Sequence, residues 1–148
     1  MPEKATLERA RRDKREGKAP STQAGEFVRE EIHHIREGKH GARSTKQAIA
    51  IGLAKARRAG VKLGTPKNAS AATKRSAKSA ARAGRKRARP SRRRSQAMLR
   101  RLKREGRAAA SSRALARQAR SAAKRRTRAS RKAAARKAAT TRRRRASA

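Results

Sequence analysis

The sequence predicts a small all-α protein, a short helical hairpin followed by a long polycationic tail that is largely disordered or only conditionally helical. Three observations lead there. Bulky apolar residues recur at a helical period chiefly within residues 21–63. Residues 67–148 hold 32 Lys and Arg against a single acid, Glu105, and a further 25 Ala and 14 Ser or Thr. The chain has one aromatic residue, Phe27, so there is little with which to fill a core.

Composition narrows the classes further. The net charge is +39 over 148 residues and the mean hydropathy is −1.16. Without Cys, disulfides, thiolate metal sites and thiol chemistry are excluded. The start, MPEKATLERA, lacks the apolar run of a secretory signal. No window approaches the length of apolar sequence that spans a bilayer. The expectation is a soluble protein of the cytoplasm and nucleoid, with no membrane partner. Charge is uneven: residues 1–37 carry nine basic and eight acidic residues, and residues 38–66 seven basic and none acidic.

Residues 1–20 read as a charged N-terminal arm. Glu8 precedes Arg12 by four residues, the favourable order for a helical ion pair. Leu7 and Ala10 give only a thin apolar stripe, so a solvated, fraying helix is expected. Residues 21–63 read as a helix–loop–helix module. Ser21 or Thr22 can cap its first helix. Val28, Ile32 and Ile35 fall on one face, with Phe27 at the edge and Gly38 placed to end the helix. After the loop 38–43, Ser44 and Gln47 have the spacing of a capping box. Ile49, Leu53 and Ala56 form the face of the second helix, and Gly52 would let the first helix approach closely. Gly60 ends that helix, and Val61 and Leu63 can fold back on the core. So small a module needs help from self-association or a bound partner.

Residues 64–66, Gly-Thr-Pro, read as a linker. Beyond them the apolar content is too low to offset the entropy of ordering. Helical character is expected only near residues 95–105 and 112–127, around Met98, Leu99 and Leu102 and around Leu115, Ala119 and Ala122. Repulsion between like charges opposes those helices in free solution, so helix is expected to form when phosphate neutralises them.

The run Arg43-Ser44-Thr45-Lys46-Gln47-Ala48-Ile49-Ala50-Ile51-Gly52-Leu53, followed by Ala56 and Arg57, resembles a motif of small basic bacterial and phage proteins. These form an uncharacterised family, a domain of unknown function. The upstream GEFVREEIHHIREGKHGARS is similar to the longer bacterial version. The resemblance covers about residues 18–63; it implies a bacterial source and no particular activity. The tail separately resembles the Ala- and Lys/Arg-rich tails of linker histones and bacterial histone-like proteins. Its 24 Arg against 8 Lys lean toward protamine-like packing.

The chemistry on offer is phosphate binding. Arginine presents a planar fork that matches phosphate bidentately. The densest candidates are Arg85, Lys86 and Arg87; Arg92, Arg93 and Arg94; Arg100, Arg101 and Arg104; Arg125 and Arg126; and Arg142, Arg143, Arg144 and Arg145. On the second helix, Lys46, Lys55, Arg57 and Arg58 would face nucleic acid if that helix entered a major groove. Two helices fall short of a full helix-turn-helix, and without aromatic platforms stacking of single-stranded bases is disfavoured. Recognition is therefore expected to be largely independent of sequence.

His33, His34 and His40 raise the question of a metal. Adjacent helical residues point about 100° apart, so His33 and His34 do not converge on one ion, and pairing with Glu30 is the simpler expectation. No metal site, cofactor or catalytic set is expected. Gly38-Lys39-His40-Gly41 lacks the spacing of a phosphate-binding loop. The sequence thus points to a non-enzymatic, histone-like DNA-binding protein. A ribosome-associated or other RNA-binding protein is the alternative, and a hairpin that holds a protein partner is a third possibility.

Overall fold

The computed structural model describes residues 2–66, 69–86 and 91–147. These residues form seven α-helices and one 3-10 turn: α1 (Lys4–Arg15), α2 (Pro20–Arg36), α3 (Thr45–Arg58), α4 (Ala71–Arg85), α5 (Arg92–Lys103), η1 (Ala108–Ala110), α6 (Ser112–Lys124) and α7 (Arg128–Ala146).

The centre is the pair α2 and α3. Pro20 occupies the first turn of α2, where its missing N–H costs nothing. The Ser44 hydroxyl caps α3 by accepting from Gln47 N at 3.2 Å. The two helices approach closely at Gly52, where an added Cβ would fall 2.7 Å from Val28 Cα. Around this crossing lie two small cores. One joins Ala10, Ala24, Phe27 and Ala56, with Leu7, Leu53, Val61 and Leu63 against them. The other joins Ile32, Ile35, Ala42, Ala48, Ala109 and Ala110, with Val28 and Leu115 against them.

The pair is not a free-standing hairpin. α1 packs on α2 through Ala10 and Leu7, and Thr6 and Asp13 are buried with them. Lys18 closes the turn between these helices with a 2.6 Å contact to the Asp13 carboxylate. The N-terminal segment is thus a packed element, in place of the solvated arm the sequence suggested. On the other side α4 packs along α3. Ala77 and Ala80 are buried, and Gly84 sits against the carbonyl of Arg57, where any side chain would collide.

The expectation of a hairpin with a disordered tail is overturned. Residues 71–85, 92–103, 112–124 and 128–146 are all helical, and part of this region completes the core. Leu102 is buried, and its carbonyl accepts from Gly41 N at 2.9 Å. The Gly106 carbonyl accepts from Ala42 N at 3.1 Å. Gly41 leaves no room for a side chain beside the Glu105 carbonyl. Further on, Ala109 and Ala110 sit against Ile32, Ile35 and Ala48. Thr45 Oγ1 donates to the Ala109 carbonyl at 2.7 Å, and Arg36 Nε donates to that of Ala110 at 2.9 Å. The helical hairpin and the disordered tail both give way to one all-helical fold.

The physical reason is the use of small residues. Alanine fills little volume, but it and glycine let backbones come into direct contact, and backbone hydrogen bonds then seal the seam. Helix in the rest follows from local chemistry. α7 combines seven Ala with nine Lys or Arg in 19 residues, all good helix formers. Its start is capped by the Thr127 hydroxyl, which accepts from Ser130 N at 3.1 Å. Helix in this region thus replaces the disorder that the composition suggested.

Candidate nucleic-acid interface

The two halves of the chain handle charge differently, beginning with the carboxylates. Among the described residues, Glu3, Asp13, Glu16, Glu26, Glu30, Glu31 and Glu37 form ion pairs, every one with a basic group between Arg9 and Lys55. Several show it in their proton affinity. A hydrogen bond from His34, then one from Lys39, holds the Glu3 carboxyl below its ordinary value. Lys18 does the same for Glu16, and Lys39 for Glu37. Lys18 and Lys39 are in turn pushed up, chiefly by hydrogen bonds to Asp13 and Glu37.

After Lys55 the pattern ends. The remaining sequence holds 35 Lys and Arg and one acid. No ion pair is formed by any of these bases among the described residues.

The positions singled out from sequence divide accordingly. Lys55 lies against the buried carboxylates, 3.3 Å from Glu30 Oε1 and 2.6 Å from Glu31 Oε2. Arg57 is only 9% exposed, and its Nη2 donates to the Gly64 carbonyl at 3.1 Å. Lys46 and Arg58 are exposed, at opposite ends of α3. α3 packs against α2, α4, η1 and α6, and Lys46, Ala50 and Arg58 are left exposed along its remaining side. Arg85, Lys86, Arg92, Arg93, Arg94, Arg100, Arg101, Arg104, Arg125, Arg126, Arg142, Arg143 and Arg144 are all exposed. Arg87 and the side chain of Arg145 lie outside the described residues.

Reasoning from runs of consecutive arginines passed over other bases. Arg117, Arg120 and Lys124 share one face of α6 by their spacing and, with Ser121 and Arg125, line a shallow groove. Arg128, Arg131, Lys132, Arg136 and Lys137 lie along α7, which among the described residues packs against no other element. Helical spacing was the signal that would have found both sets. The histidines, too, take other partners than expected: His33 meets Glu37 at 3.0 Å and His34 meets Glu3 at 2.8 Å. Glu30 instead accepts from Glu3 N at 3.0 Å.

No family model, curated protein or solved structure matches the chain. The likeness of residues 18–63 to the bacterial and phage family therefore rests on the motif residues alone. No helix among the described residues is long and apolar enough to cross a membrane.

Proposed function

We propose that the chain binds nucleic acid through its phosphate backbone, DNA in preference to RNA, without reading base sequence, as a histone-like protein of the bacterial nucleoid. The observation that carries this reading is α7, a 19-residue helix with nine Lys or Arg, no acid and, among the described residues, no helix packed against it. Among the described residues none on α7 is fully buried, so it gains little from the fold. Its charge is self-repelling until an anion array meets it.

Duplex DNA supplies such an array, with one charge per about 1.7 Å of axis. The helix is also the right size: the B-form major groove, about 12 Å wide, admits an α-helix. The major groove of A-form RNA is too deep and narrow for side chains to reach into, which favours DNA. Phe27, the one aromatic residue, is 1% exposed, so no aromatic platform is offered to unpaired bases. The bases of α5 and α6 extend the same surface chemistry, whereas Lys55 and Arg57 are occupied within the fold.

The test is fluorescence anisotropy with duplexes of unrelated sequence, titrated with salt and competed with structured RNA. Equal affinity for the duplexes is expected, with a steep fall in salt, close to 0.9 log units per phosphate neutralised for each log unit of salt. Stronger competition by RNA than by duplex DNA would shift the assignment to an RNA partner. A slope worth only one or two contacts would overturn the electrostatic reading.

A further inference from the structure

Glu31 is fully buried, and neither of its carboxylate oxygens has a hydrogen-bond partner. A buried carboxylate without donors needs a cation or a proton. Lys55 meets part of that need. Its Nζ is 2.6 Å from Oε2 but lies off the hydrogen-bonding direction, and Glu30 shares it at 3.3 Å.

The other oxygen, Oε1, faces His40 Nε2 at 3.3 Å. The opposite nitrogen of that ring, Nδ1, is 3.1 Å from the Gly41 carbonyl. A carbonyl only accepts, so Nδ1 carries the proton. In the neutral ring Nε2 then turns a lone pair toward Oε1, and two acceptors face each other. A backbone carbonyl on Nδ1 is also the arrangement that fixes ligand imidazoles at metal sites.

His34 is the third member. One donor atom each from Glu31, His34 and His40 lies within 4.8 Å of the others. The two imidazoles stand edge to face, with centroids 6.3 Å apart and planes at 85°. Glu3 fixes the His34 ring through its 2.8 Å contact to Nε2. Zinc bound at about 2.0–2.1 Å in a tetrahedron holds its ligand atoms a little over 3 Å apart, and the Glu31–His40 separation fits.

From this convergence we propose that Glu31, His34 and His40 form a site for a divalent transition-metal cation, zinc foremost. Two imidazoles and one carboxylate suit zinc over magnesium or calcium, and three protein ligands leave a fourth position open. Such an ion answers the unpartnered oxygen of Glu31. It also ties α2 to the loop 38–43, which carries the backbone seam to residues 102–106.

The full chain, freed of nucleic acid and stripped with a chelator, is titrated with zinc chloride by calorimetry and followed by thermal melting. One ion per chain is expected, with a rise in melting temperature that magnesium chloride does not give. Cobalt(II) in place of zinc should give the intense visible bands of a tetrahedral site. His34→Ala and His40→Ala should each weaken zinc binding at least about ten-fold. His33→Ala should leave it unchanged, because that ring is 69% exposed and turned to Glu37. The cobalt spectrum of the unaltered chain decides the matter even if a variant unfolds. Absence of those bands together with no zinc heat would overturn the proposal and leave Glu31 to Lys55 and His40. Equal loss in the His33 variant would show that zinc binds surface imidazoles.

Discussion

Residues 3–65 and residues 128–146 are both helical and both rich in Lys and Arg, yet they place their charge in opposite settings. In the first region basic groups face carboxylates, as with Arg9 and Glu26, Lys18 and Asp13, and Lys55 with Glu30 and Glu31. In the second, nine bases belong to a helix that touches no other among the described residues. The difference teaches that count of charge does not measure binding capacity. What counts is charge that the fold leaves without an opposite, and among the described residues most of that charge lies beyond Lys55.

This contrast can be broken at either end. In the packed region substitutions should lower stability and leave the salt dependence of binding alone; in α7 the reverse should hold. The largest loss of stability is expected from Ile35→Ala, because Ile35 of α2 is fully buried against Ala48 and the Ala109–Ala110 turn. About 2–5 kcal/mol should be lost in urea unfolding, with duplex affinity of the folded fraction unchanged.

Gly84→Val comes next. It forces a side chain against the Arg57 carbonyl and should separate α4 from α3 at about 1–3 kcal/mol, again read by urea unfolding. An unaltered midpoint would mean that α4 does not pack where the structure has it. Thr45→Val removes the donor to the buried Ala109 carbonyl and should cost roughly 1–2 kcal/mol. Protection of the Ala42 amide from hydrogen exchange should fall with it, since that amide lies in the same seam.

The smallest effect is on pH dependence. Glu3, Glu16 and Glu37 have carboxyls held below the ordinary 4.5. Because the folded value is depressed, their contribution is present above 4.5 and is lost as pH falls through the depressed folded values. All three are at the surface, so the change in stability should be slight and salt-sensitive. Lys39→Ala should return Glu37 toward its ordinary value in a carboxyl NMR titration, Lys39 being the chief cause of its shift.

The comparison also separates what could be read from sequence from what could not. The Phe27 to Ile35 face, the Ser44 cap and the close approach at Gly52 follow from period and from residue type. The packing of α4 and of residues 102–115 does not, because Ala77, Ala80, Ala109 and Ala110 add little hydrophobic signal and act by letting backbones touch. The helix α1 was legible, but its packing was hidden for a related reason: Thr6 and Asp13 are polar by type and buried in fact. Within the candidate interface, the exposed arginine runs were legible as runs. The inward turn of Arg57 and Lys55 was not, since nothing in the spacing of α3 distinguishes them from Arg58. The meeting of Glu31 with His40 depends on how the loop 38–43 is held, and residues more than 60 positions later hold it.

These packed segments also decide where the chain can be cut. Removing everything after residue 66 would take away α4, Leu102 and the Ala109–Ala110 turn and so damage the fold. Ending the chain at Thr127 removes one helix, α7, against which no other element packs among the described residues. The most direct measurement is therefore the salt dependence of duplex-DNA affinity for the full chain beside the chain ending at Thr127, with thermal melting as the control for folding. An unchanged melting temperature is expected, with a log–log salt slope shallower by about eight, from nine bases at about 0.9 each. The same slope and affinity in both chains would contradict the assignment of α7 as the phosphate-binding element.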